Sequence, residues 1–237
     1  MQQAVDLYEE GEELKKLLET IPSENWNLIT PFKNLTFYFV IQDLHGADKA
    51  AMLSLADRTE FLPIKYNRKA QRTVMSPNIH GLELLDSWWR CFNEMCEQLG
   101  DRDPKRRLTW FGPDMGLMMF TTARQMETWA HGQDIYDCLN RTRINTDRLK
   151  NIVVIGVKTF GWTFINRKLQ PPSPVPYVKL DAPSGEVWEF GEPSGENYIS
   201  GAAVEFCHVV TQGRNILDKD IHLKVVGESA RQWMDIA

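Results

Sequence analysis

Apolar residues recur at helical spacing along most of the chain. In AVDLYEEGEELKKLLETI they fall three and four apart before PSENW interrupts, which predicts a helix ending near residue 20. TPFKNLTFYFVIQDLHGADKAAMLSLAD opens on a turn and then supports a long helix over about 34–56. TEFLPIKYNRKAQRTVMSPN has no clean period and reads as loop with a short helix. HGLELLDSWWRCFNEMCEQLGD is a third long helix, closed by Gly100. A basic loop, DRDPKRRLTWFGPD, leads into a fourth over about 114–139. TDRLKNIVVIGVKTFGWTFINRK predicts a fifth, with Asp147 as a candidate cap.

After residue 169 the texture changes to Pro, Gly and Ser. YVKLDA and EVWEFG flank Pro-Ser-Gly and read as a hairpin. SGAAVEFCHVVTQ and IHLKVVGESARQWMDIA each carry a further helix. The expected protein is therefore mainly α. A helical bundle over 1–169 is followed by a small α+β region over 170–237.

Composition narrows the function classes. A net charge of −5 offers no basic field to nucleic acid or anionic lipid. No apolar run approaches the roughly 20 residues that span a bilayer. The opening MQQAVDLYEEGEELKK lacks the basic start and apolar core of a signal peptide. The cysteines, Cys91, Cys96, Cys138 and Cys207, show no CxxC spacing. A cytoplasmic, reduced protein without nucleic-acid or membrane partners is expected.

One stretch departs from the pattern. From Met115 to Asp134 the ionisable side chains are Arg124, Glu127, His131 and Asp134. At about 100° per residue they fall within roughly 80° of one another, on a helix otherwise rich in Met, Phe, Trp and Ala. A stripe so narrow and sparse indicates an enclosed polar strip rather than a solvated face. Spacing alone leaves Glu127 and His131 either as a structural i, i+4 pair or as two ligands of one metal ion. Two ligands need a third. On the second helix Asp43 shares a face with Phe39, Val40, Ala47 and Ala50, where a carboxylate needs a counter-charge. His45, about 200° further round, is the alternative donor.

These segments together resemble a known family. TPFKNLTFYFVIQDL (30–44) is similar to the second-helix signature of the DinB/YfiT-like superfamily, and more narrowly of the mycothiol-dependent maleylpyruvate isomerase N-terminal family. ARQMETWAHGQD (123–134) resembles that family's Glu-x-x-x-His segment. LDAPSGEVWEFG, SGAAVEFCHVVTQ and ARQWMDIA look like the C-terminal part of a bacterial subgroup of metal-binding proteins, sometimes labelled wyosine base formation.

The resemblance implies a DinB-like four-helix bundle with Glu127 and His131 as metal ligands. The family's first ligand is a histidine whose position falls on Asp43 here, and its preceding Trp position holds Leu35. One imidazole with two carboxylates suits zinc and also admits manganese, iron or nickel. The implied activity is a thiol-linked isomerisation or transfer on a small, carboxylate-bearing substrate, using a low-molecular-weight thiol. The alternative is a noncatalytic protein that binds a metal or small molecule in the same pocket. Arg124 is placed to bind a substrate carboxylate and Asp134 to orient His131. The family, with the aromatic DSWWR helix, also implies a homodimer. His80 and His222 have no evident partner in the sequence.

Overall fold

The structure, a computed structural model, describes residues 1–31, 34–75, 79 and 81–237. It divides into two compact units, Met1–Thr142 and Arg143–Ala237. Ten α-helices lie among the described residues.

Four long helices make the bundle of the first unit: α1 (Gln2–Glu19), α2 (Phe37–Ala56), α5 (Gly81–Asp101) and α6 (Leu117–Cys138). Between α2 and α5 lie the short α3 (Arg58–Tyr66) and α4 (Arg68–Met75). The aperiodic stretch thus holds two helices rather than one, because Asp57 and Asn67 each cap a new start. Asp57 Oδ1 accepts from the Thr59 N–H at 2.7 Å, and Asn67 Oδ1 accepts from the Lys69 N–H at 2.9 Å. Thr36 caps α2 by accepting from the Phe39 N–H at 3.3 Å, so residues 34–36 stay outside the helix.

α1 packs on α5 and α6, and α2 packs on the same two helices. On α1 the buried positions Ala4, Leu7, Gly11, Leu14 and Leu18 form a seam at alternating steps of three and four. Gly11 is fixed by its neighbour: a Cβ there would lie 2.2 Å from the Phe92 ring. Gly11→Ala, although it raises helix propensity, is expected to lower stability by about 1–3 kcal/mol, read as an earlier urea midpoint at unchanged m-value.

The aromatic helix also turns inward. Trp88 and Phe92 are fully buried in the chain's own core, and Trp89 stacks on Phe92 at 5.8 Å. Those rings therefore supply no argument for a second copy.

A two-stranded ribbon, β1 (Arg107–Leu108) with β2 (Met115–Gly116), leads into α6. The basic loop around it is pinned rather than free. Ser54 Oγ donates to the Thr109 carbonyl at 2.6 Å, Arg106 to that of Leu55 at 3.2 Å, and Lys65 to that of Gly112 at 3.0 Å.

The second unit begins earlier than the sequence texture suggests. The predicted fifth helix breaks at Thr159 into α7 (Lys150–Lys158) and α8 (Phe160–Ile165). Both pack within the second unit, α7 on α9 (Ala203–Val210) and α8 on α10 (Glu228–Ile236). Phe160 meets Trp233 edge-on at 5.0 Å. The boundary therefore falls at Thr142/Arg143 instead of 169. Asp147 does not cap a helix: its carboxylate accepts from the Ser184 N–H at 3.0 Å.

The sheet runs β4-β3-β5-β6, from β3 (Tyr177–Asp181), β4 (Val187–Phe190), β5 (Tyr198–Ala202) and β6 (Lys224–Val226). β3 and β4 form the predicted hairpin, turning through Gly185 at φ +89°. β3 and β5 are parallel.

Candidate metal centre

α2 and α6 bring three of the predicted residues to one place. His131 Nε2 lies 3.6 Å from Asp43 Oδ2 and 3.6 Å from Glu127 Oε2. The imidazole is buried, whereas the Asp43 and Glu127 side chains are 56% and 43% exposed. Asp43 is thus a rim carboxylate, because the face it shares with Ala47 opens onto a cavity instead of a packed neighbour. The cavity holds about 200 Å³ and is lined by all three residues, by Arg124, and by Trp110, Phe111 and Phe120. The pinned loop supplies the first two rings. Trp110 stacks on Phe61 at 5.5 Å and meets Phe120 edge-on at 4.9 Å.

The spacing of donors can be set against what a cation requires. Two ligand atoms about 2.1 Å from a tetrahedral ion lie about 3.4 Å apart. The two 3.6 Å separations come close to that value. Among the described residues no three His, Cys, Asp or Glu side chains close into a complete ligand set. What is present is two donor pairs sharing His131. Both carboxylates are exposed enough to reorient toward one point, so the residues fit a divalent cation through the chemistry and spacing of the donors.

Arg124 lines the same cavity, yet it is fixed from behind. Its Nε and Nη2 donate to Asp48 Oδ1 at 3.1 and 2.8 Å, and Trp88 Nε1 donates to Asp48 Oδ2 at 3.1 Å. Desolvation works against the Arg124 charge, but Asp48 and then Glu127 hold its pKa above the ordinary arginine value. Asp48 is the residue that sequence reasoning missed. Its signal was indirect: an arginine in the enclosed stripe demands a counter-charge on a facing helix. Asp134 is buried one turn beyond His131, outside the cavity lining.

The alternative donor goes elsewhere. His45 is buried on the opposite side of α2, its Nε2 3.1 Å from Ser87 Oγ. The structure brings Asp43, not His45, to His131. Desolvation, helped by Lys49, lowers the His45 pKa from 6.5 to about 4, so the imidazole is neutral at pH 7. The unfolded chain takes up this proton first as pH falls. His45 therefore contributes a loss of stability as pH drops from about 6.5 to about 4, and the loss levels off below that window. His45→Gln is expected to flatten this part of the stability profile, measured as urea midpoint against pH.

Burial raises the thiol pKa values of Cys91, to about 12, and of Cys96, so both stay protonated at neutral pH. His222 Nδ1 lies 3.4 Å from Glu205, and His80 lies outside the described residues.

Comparison with known proteins now bears on this geometry. The family model for the mycothiol maleylpyruvate isomerase N-terminal domain matches residues 7–136. The chain belongs to this family. Two uncharacterized proteins of Mycobacterium tuberculosis, from strains CDC 1551 / Oshkosh and ATCC 25618 / H37Rv, are each 33% identical over 243 residues. Each alignment covers 98% of this chain and 92% of the relative. Among solved structures, the mycothiol-dependent maleylpyruvate isomerase is similar with a TM-score of 0.59 at 11% identity. A histidine-to-alanine mutant of that enzyme gives 0.61 at 13%. Both cover 88% of this chain and 87% of theirs, and at such identities they establish the fold alone. The mainly α architecture with a small C-terminal sheet is that of this family member. No helix of the described residues is long and apolar enough to cross a membrane.

Proposed function

We propose that this protein is a metal-dependent enzyme of the thiol-linked isomerase or transferase kind, acting on a small carboxylate-bearing compound in the α2–α6 cavity. The observation that carries the reading is the position of His131 Nε2, equidistant at 3.6 Å from the Asp43 and Glu127 carboxylates. Family membership supports the thiol, since the related solved enzyme is named mycothiol-dependent.

Asp43, Glu127 and His131 would hold the cation, with zinc first and manganese, iron or nickel also suited to the donors. When bound, such an ion lowers the pKa of a coordinated thiol or water and polarises a carbonyl. Arg124 uses two of its five N–H donors on Asp48. The remaining donors suit a substrate carboxylate, which the Asp48 pair would orient. Trp110, Phe111 and Phe120 give the cavity an apolar wall, and its volume of about 200 Å³ suits a small molecule.

The test is elemental analysis of the purified protein, followed by turnover of maleylpyruvate with and without mycothiol. Bound metal with thiol-dependent turnover supports the reading. Metal with no turnover would favour the noncatalytic binding protein. Protein free of metal after growth and dialysis in zinc- and manganese-supplemented buffers overturns both.

A further inference from the structure

On the side of α2 away from His131 lies a second and larger cavity, about 920 Å³, between α2, α4 and α5. Asp43 and His45, two residues apart, point about 200° from one another, so one helix divides the two chambers. The polar lining of the second chamber includes His45, Lys49, Ser87 and Arg90, and its apolar wall is made by Met52, Leu53 and Val74.

Three features of this lining bear on what it could hold. His45 is 2% exposed, and its Nδ1 has no hydrogen-bond partner among the described residues. A buried ring nitrogen left unmatched costs about 1–3 kcal/mol. Lys49 and Arg90 form no ion pair with a described residue, in a chain whose net charge is −5. The Arg90 Nε donates only to the Asp86 carbonyl, at 3.4 Å. Glu94 is the one carboxylate on the lining, set against the two cations Lys49 and Arg90.

We propose that this cavity is a binding site for a small organic anion with an apolar body, its carboxylate or phosphate between Lys49 and Arg90 and its chain against Met52, Leu53 and Val74. The ligand would lie against the wall formed by His45 and Ser87, whose Nε2 and Oγ are 3.1 Å apart. The site is separate from the metal centre and does not depend on the function proposed for it.

The full-length protein is titrated calorimetrically with octanoate and with octyl phosphate, using octanamide as the uncharged control. Saturable one-to-one binding of at least one anion, much tighter than that of octanamide, is the expected result. Octanoate alone would identify a carboxylate site, and octyl phosphate alone a phosphate site. Lys49 and Arg90 are exposed, so the double variant Lys49→Met/Arg90→Met should fold normally and bind roughly tenfold more weakly. The imidazole resonances of His45 should shift on binding, while Glu127→Gln leaves the affinity unchanged. Absence of saturable binding, equal binding of octanamide, or insensitivity to the double substitution overturns the proposal. So does binding that Glu127→Gln abolishes, which would place the ligand at the other cavity.

Discussion

His131→Ala should lose metal to background level after dialysis, with an affinity lowered by more than about a hundredfold. Disturbing only the support of a ligand costs 10- to 100-fold, and this change removes the one donor that both carboxylates share. The measurement is metal content by elemental analysis, with competition against a chromophoric chelator for the affinity. Asp43→Asn should weaken binding as well, since the amide is a poorer donor than the carboxylate. Asp43→His should retain metal and shift the preference toward zinc, because an imidazole is the softer ligand. His45→Ala should leave occupancy unchanged, as its ring lies in the other chamber. Loss of metal in His45→Ala with retention in Asp43→Asn would sink the assignment of Asp43.

The second large effect is on stability. Asp48→Asn is expected to cost about 3–5 kcal/mol, because it leaves the Arg124 guanidinium buried without its counter-charge. Arg124→Met should cost less, and the asymmetry has a chemical origin. A buried carboxylic acid can take up a proton, whereas a buried guanidinium cannot give one away. In Arg124→Met the Asp48 pKa, already raised by burial, loses the opposing pull of the arginine. Its folded-state pKa then lies further above that of the unfolded chain. The stability this group contributes is present at low pH and lost as pH rises through the folded value. Urea denaturation should therefore show Arg124→Met losing less, relative to wild type, in mild acid than at neutral pH. Equal losses for Asp48→Asn and Arg124→Met at both pH values would contradict this account.

Much of the architecture was readable from periodicity. The four long helices and the β3–β4 hairpin lie where apolar spacing and Pro-Ser-Gly place them. The readings that failed depended on partners distant in sequence. Asp48 sits beside Lys49 in an apparently solvated stretch, and its partners are 40 and 76 residues away. Periodicity assigns a residue to a face but does not identify what lies opposite. Asp43 illustrates the same limit: its apolar neighbours implied a packed surface, while the structure opens that surface into a cavity. The boundary between units was misplaced for a related reason. The stretch 150–165 is helical like the bundle, but its apolar side matches α9 and α10. Glu127 and His131 were legible because two scarce residue types share one narrow stripe of a single helix.

The short helix α4 acquires a particular position from these facts. None of its residues is fully buried, yet its final turn contributes Met75 to the metal-side cavity and Val74 to the chamber behind α2. Gly46 permits this arrangement, since a side chain there would lie 2.5 Å from the Met75 backbone. The end of α4 is consequently a party wall, one turn of backbone whose two faces belong to different rooms.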